Sequence, residues 1–300
     1  MRKNKEEITG NNNEENLKVT NDYVFKRIFG HKGNEEITKG LINEILEEKV
    51  EELDLKESPI LEKDLHDDKV GILDIRARLD NKRICNIEMQ VIKYNNIEER
   101  ILYYWSKLYA GEIKEGEDYK KLNKTIIILI ADFILDRTKG VPKVHTEWKI
   151  RETEYSKIVL TNIFEVHIIE LPKVKKINKK GEEKDKLTVW LRFIKSPESI
   201  GKDEMENKEI KKAKVEYDKI NQDERERELA ELRLKYIRDQ NAIRDYGYDR
   251  GKEEGIKIGL TEGIKNEKIN IAKVMLKRNN PIKEIMEITG LTEDEIKKLK

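Results

Sequence analysis

Two runs, ILDIRARL (72–79) and RICNIEMQVI (83–92), flank the triplet Asp80-Asn81-Lys82, and apolar and polar residues alternate through both. Successive side chains of a strand point to opposite faces, so the pattern predicts a β-hairpin with one apolar face. That face collects Leu73, Ile75, Ala77, Leu79, Cys85, Ile87, Met89 and Val91, interrupted by Arg83 at the hairpin end. Three-residue loops are a common hairpin connection, and Asp and Asn tolerate the left-handed backbone they require. In this register opposed residue numbers sum to 162, so Leu79 faces Arg83, Asp74 faces Glu88 and Ile72 faces Gln90. An even-length loop would put Asp74 and Glu88 on opposite faces; the sorted apolar pattern decides between them.

The second face carries Asp74, Arg76, Arg78, Asn86, Glu88 and Gln90, with Ile72, Ile84 and Ile92. Directly opposed carboxylates have Cβ atoms about 5 Å apart and destabilise a sheet unless something binds between them. A divalent cation can fill that role. Oxygen donors without histidine or cysteine suit Mg²⁺ or Mn²⁺, and such an ion activates water and stabilises charge on a phosphate. Arg76 and Arg78 could neutralise the carboxylates or hold phosphate. The alternative is a solvated face of mixed charge on which both arginines are salt-bridge partners.

Charged residues make up 41% of the 300 and hydrophobic ones 37%, which predicts a modest core and long solvated helices. A net charge of +1 gives no overall attraction for nucleic acid, so any such contact needs local clustering. Cys85 is the single cysteine. This excludes an intramolecular disulfide and a thiolate metal cluster, and Cys85 is read as a small buried hydrophobe in a reducing compartment. The N-terminal MRKNKEEITGNNNEEN has no apolar signal core, and the longest apolar run, Ile126 to Ala131, is far below the roughly 20 residues of a membrane span. The expectation is a cytoplasmic protein with no membrane partner.

Residues 1–18 are polar and read as a disordered arm. From Asn21, Val24, Phe25, Ile28, Phe29, Ile37, Leu41, Ile42 and Ile45 recur at helical spacing, with a break near Gly30–Gly33. VEELDLKESPIL (50–61) reads as a strand ending at Pro59. After the hairpin, Ile101, Tyr104, Trp105, Leu108 and Tyr109 mark a helix face, and TIIILIADF (125–133) reads as a strand buried on both sides. The order is helix, three strands, helix, strand. HTEWKIRE and NIFEVHIIEL add two more strands, and the lysine-rich LPKVKKINKKGEEKDK reads as a solvated loop, with phosphate contact as its alternative. From Leu187 the chain reads as helical, with a charged stretch that needs a partner. Gly247, Gly251, Gly255, Gly259 and Gly263 then recur every four residues. That stripe implies either close helix packing in an oligomer or a segment that is not stably helical. The last 37 residues (264–300) break at Asn279-Asn280-Pro281 and carry nine Lys/Arg against six Asp/Glu, a local +3. They read as a helix-turn-helix-like unit or a dimerisation hairpin, with a Thr292 cap and Glu295 three residues on.

Asp74, the E-x-Q of Glu88 to Gln90, ERILYYWSKLYAGEIKEGEDY, KTIIILIADF and the opening NDYVFKRIFG together resemble the recombination-promoting nuclease (transposase-like) family, a branch of the PD-(D/E)XK nuclease superfamily. The resemblance is strongest over residues 20–135. It implies an α/β fold with a nuclease core of helix, three-stranded antiparallel meander, helix and strand, followed by a largely helical C-terminal region. It divides the chain into a nuclease-like domain at 19–200, a charged helix with the glycine repeat at 201–265 and a small helical unit at 266–300. Asp74 and Glu88 would ligate Mg²⁺ or Mn²⁺, and Gln90 would stand where the motif has lysine. No proline precedes Asp74, and Gln90 carries no positive charge. Lys93 and Lys107 are candidate replacements for that charge, while Asp22 and Lys26 could line the cleft edge or form a surface ion pair. Tyr103, Tyr104 and Tyr109 are read as core or rim aromatics, and no chemistry is assigned to His31, His66, His145 or His167. The function implied is a metal-dependent DNA endonuclease, with homo-oligomers through the C-terminal helices. The alternative is a non-catalytic DNA-binding or assembly protein that keeps the nuclease fold.

Overall fold

The computed structural model describes residues 16–56, 74–174 and 185–299. Most of the N-terminal arm, the strand end at Pro59, His66, Ile72 and Leu73, and residues 175–184 of the lysine-rich stretch lie outside the described residues. Leu17, read as part of the arm, is tied to the body: its N–H donates to Asn221 Oδ1 at 2.8 Å, and its carbonyl accepts from the Tyr217 hydroxyl.

The helical spacing after Asn21 yields α1 (Asp22–Phe29) and α2 (Glu35–Leu46), interrupted at Gly30 as expected. Asn21 caps α1 by accepting from the Tyr23 and Val24 amides. At Gly30 a Cβ would come within 2.9 Å of the Lys26 carbonyl and 3.0 Å of Ile75 Cγ1, so the turn admits no side chain. Strand β1 is shorter than the sequence suggests, Leu53–Lys56, and pairs antiparallel with β2 (Ile75–Leu79). Strand β3 (Arg83–Gln90) closes the meander in the expected register, from Ile75 opposite Ile87 to Leu79 opposite Arg83. Asp80 and Asn81 of the loop take positive φ of 50° and 57°, the conformation for which short polar side chains are suited.

Helix α3 (Ile97–Ala110) then leads to β4 (Thr125–Ala131), which runs parallel to β3 and is buried throughout. Strands β5 (His145–Trp148) and β6 (Phe164–Glu170) complete a six-stranded sheet in the order β1-β2-β3-β4-β6-β5. The main core lies on one face. There Ala77, Cys85, Ile87, Ile126 and Ile128 meet α1, α2, α4 (Lys186–Lys195) and α5 (Lys208–Gln222) through Phe25, Leu41, Trp190 and Tyr217. Burial pushes the Cys85 thiol up to about 12, as befits an inert core side chain. On the other face Ile127, Leu129, Val166 and Ile168 pack under Ile97 and Ile101 of α3, with Trp105 and Leu108 alongside.

The first compact unit reaches Ile237, beyond the boundary near residue 200 read from sequence. The charged stretch finds its partner here, because Ile210, Ala213, Tyr217 and Ile220 of α5 are buried. The first turns of the next helix, α6 (Glu224–Lys277), belong to it too. Arg233 of α6 binds Asp22 through both Nε at 3.0 Å and Nη2 at 2.6 Å, and both side chains are nearly inaccessible. Asp22, read as a cleft-edge group or as one half of a surface ion pair with Lys26, makes a buried contact with a residue 211 positions away in sequence.

In the second unit, from Arg238, the glycine repeat is helical, and a Cβ at each of its five positions would meet nothing within 4 Å. Helices α7 (Ile282–Thr289) and α8 (Glu293–Lys297) close a small core of Ala272, Ile285, Leu291 and Ile296. Gly290 ends α7 in the left-handed region at φ 67°, and Thr292 and Glu295 form the expected capping box. Among the described residues no helix is long and apolar enough to cross a membrane.

Removing one partner of a buried ion pair leaves an uncompensated charge and costs about 3–5 kcal/mol. Arg233→Ala should therefore lower unfolding stability by about that amount in urea titration, whereas Asp22→Asn combined with Arg233→Met should recover most of the loss.

Candidate active site

Strand β3 places Asn86, Glu88 and Gln90 on the face that α3 covers, beside Ile127, Leu129 and Ala131 of β4. The alternative of a solvated face does not describe β3, where Asn86 and Gln90 are 3% and 6% exposed. One step beyond the last β2–β3 pair, Ile75 with Ile87, the backbone brings Asp74 to the level of Glu88. Asp74 ends in a cleft of about 290 Å³ lined also by Lys56, Arg76, Arg78, Tyr104 and Lys107.

The two carboxylates are each met by an arginine. Arg76 Nε lies 3.3 Å from Asp74 Oδ2. Arg100, from the first turn of α3, lies 3.1 Å from Glu88 Oε1 and is sandwiched by the rings of Tyr94 and Tyr104 at 5.2 and 5.3 Å. Burial holds the Asp74 carboxyl above its ordinary range, although Arg76 and Lys26 pull the other way. Lys26 is 5% exposed, so its charge acts on Asp74 with little screening. Arg78 is turned aside into a two-pronged pair with Glu112 at 3.0 Å on both arms.

The remaining sequence candidates separate. Gln90 Nε2 donates to the Ile92 carbonyl at 2.9 Å, which ties the amide to the backbone just beyond β3. Lys93 is directed to the Ile134 carbonyl and to Asp136, at 3.0 and 2.9 Å, and so is committed to the loop after β4. Lys107 lines the cleft. Asp22 is locked to Arg233 and is no cleft-edge group. Tyr104 lines the cleft, Tyr109 stacks on Trp105 at 4.8 Å, and Tyr103, 60% exposed, meets Tyr104 edge-on at 5.5 Å. Sequence reasoning missed Arg100. Its signal was available: an arginine one turn into the helix that follows the E-x-Q strand, with tyrosines at 94 and 104.

The donor set suits a hard divalent cation. Strand register sets Asp74 and Glu88 on the face that also carries the Asn86 and Gln90 carboxamides, and Asn86 Oδ1 is buried with no hydrogen-bond partner. Asp74, Glu88 and a carboxamide oxygen are the atoms that could hold such an ion, and Lys107 and Arg76 stand where phosphate oxygens would approach.

A protein-family model described as PD-(D/E)XK nuclease family transposase matches residues 19–247. No curated protein and no solved structure matches the chain.

Because the Asp74 carboxyl is raised, the folded state holds its proton more tightly than the unfolded chain does. Stability is thus lost as pH rises from the ordinary carboxylate range through the folded-state value. Asp74→Asn should raise the melting temperature at pH 7, where the wild type carries a buried charge. The gain should vanish below about pH 4, where the unfolded carboxylate is also protonated, as thermal melts at the two pH values would register.

Proposed function

The chain belongs to the PD-(D/E)XK nuclease family transposases, and on that premise we propose that it is a Mg²⁺- or Mn²⁺-dependent DNA endonuclease acting in the cytoplasm, with Asp74, Glu88 and Gln90 as its catalytic residues. The observation that carries this reading is the β2–β3 register, which sets Asp74 level with Glu88 on one face of the sheet, with Asp74 opening into a cleft lined by Lys56, Arg76 and Lys107. A metal ion bound there would supply Lewis-acid activation of water and charge neutralisation at the scissile phosphate. Asp74 and Glu88 would hold the ion through carboxylate oxygens. Both must be ionised to do so, and Arg76 and Lys26 favour that state at Asp74. Gln90, held through Nε2 by Ile92, uses Oε1 to accept a hydrogen bond from the attacking water and so orients it. The positive charge that glutamine cannot supply comes from Lys107 at the cleft and buried Lys26, not from Lys93, which is bound elsewhere. Lys56, Arg76 and Lys107 grip the DNA backbone.

A second reading has its own support. With Arg76 on Asp74, Arg100 on Glu88 and the Gln90 amide tied to a carbonyl, the site satisfies its charges internally, as a DNA-binding protein that has given up cleavage would. The two readings differ in one assay. Plasmid DNA incubated with Mg²⁺ or Mn²⁺ should be nicked or cut by the wild type, and Asp74→Ala and Glu88→Ala should each reduce the rate by about a hundredfold or more. Equal cutting by wild type and Asp74→Ala sinks the nuclease. No cutting, with salt-sensitive DNA binding that survives Asp74→Ala, establishes the second reading.

We also propose that the chain self-associates through the exposed face of α6, where Ile256, Leu260 and Ile264 run beside Gly255, Gly259 and Gly263. Bare glycines let a second helix approach closely, and the resulting contact offsets their cost of about 1 kcal/mol each in a helix. Light scattering should find the full chain oligomeric and a chain ending at Arg238 monomeric; equal masses per particle would remove the proposal.

A further inference from the structure

At the far edge of the sheet, on the face opposite Asp74, β5 and β6 gather a second set of ionisable groups that the cleft does not use. Glu147 pairs across the ladder with His167, and His145 with Ile169. Strand alternation then brings Glu165 beside His167. One ligand atom each from Glu147, Glu165 and His167 lies within 4.8 Å of the others. Glu165 and His167 are buried and Glu147 is exposed, so the cluster is anchored in protein and open to water on one side. His167 bonds Glu165 Oε1 through Nε2 at 3.0 Å and His145 Nε2 through Nδ1 at 2.8 Å.

Two carboxylates and an imidazole that meet at a sheet edge make a donor set of mixed nitrogen and oxygen. Mg²⁺ and Ca²⁺ prefer oxygen alone, whereas Zn²⁺ and its neighbours Co²⁺ and Ni²⁺ accept imidazole with carboxylate. We propose that Glu147, Glu165 and His167 bind one transition-metal dication of the Zn²⁺ class, a site separate from the nuclease carboxylates, which clamps edge strand β5 to β6. His145 does for His167 what a supporting partner does for a metal-bound histidine, engaging the second ring nitrogen and fixing the ring. Lys124 at 2.8 Å from Glu165 and Lys149, which spans Glu147 and Glu165, neutralise the carboxylates when no ion is bound. Both ammonium groups are about a quarter exposed, so their flexible stems can withdraw to water as the ligands close on the ion at about 2.0–2.2 Å.

The inference does not depend on nuclease activity and is tested without it. The full chain carrying Asp74→Ala and Glu88→Ala is dialysed against Zn²⁺ in the presence of millimolar Mg²⁺, and bound zinc is counted. One zinc per chain is expected, together with a rise in melting temperature and, with Co²⁺ as the probe, visible absorption of a tetrahedral nitrogen and oxygen site. Adding Glu147→Gln, an exposed position that leaves the core untouched, or His167→Gln should weaken binding by about tenfold or more. Less than one zinc per chain, or binding undiminished by both substitutions and therefore held by other surface histidines, overturns the proposal.

Discussion

The architecture of the site rests on the contact between Arg100 and Glu88. A carboxylate on the third strand of the meander is placed under a helix, where it is largely withdrawn from water, and an unpaired charge there is costly. The first turn of α3 supplies the guanidinium, and two tyrosine faces hold it in position. Helix α3 can cover the polar face only because its own apolar stripe, Ile97, Ile101, Trp105 and Leu108, finds Ile127, Leu129 and Val166 on β4 and β6. Hydrophobic packing on the right half of the sheet thus fixes where the cation stands on the left half. A change in the register of β4 against β3 would move both.

The hairpin was legible because two independent constraints agreed. Period-two burial sorted Ile75, Ala77, Cys85 and Ile87 to one side, and the parity of the loop Asp80-Asn81-Lys82 aligned them. A single sequence holds that information within about twenty residues. β4 was legible for a related reason, since a continuous β-branched run has no polar face to expose. What escaped was burial of the polar face. Asn86, Glu88 and Gln90 look the same in sequence whether they face water or α3, and only the crossover from β3 to β4 puts a helix over them. The Asp22–Arg233 pair escaped for a stronger reason. Its partners are separated by almost the whole first unit, and no local period links them. The same contact explains why that unit ends at Ile237 and not near residue 200: α5 and the start of α6 complete the core around α1. The histidines at 145 and 167 are likewise joined only by the antiparallel ladder of β5 and β6.

The arginines at the cleft can be understood as placeholders. Arg76 on Asp74 and Arg100 on Glu88 perform electrostatically what a divalent cation would, namely cancelling charge on two carboxylates that the fold forces together. Their surroundings differ, and the difference has chemical consequences. The Arg76 side chain is 45% exposed, and a guanidinium so placed is screened and free to swing toward a phosphate. Arg100 is half-buried, flanked by aromatic rings and seated in a helix that packs on the core. It has no comparable freedom, so Glu88 keeps its arginine while Asp74 can lose one. The asymmetry makes Asp74, the carboxyl whose ionised form burial disfavours, the group with most to gain from a dication. An incoming phosphate that draws Arg76 away and an ion that replaces it at Asp74 would reinforce one another, coupling backbone binding to assembly of the metal site.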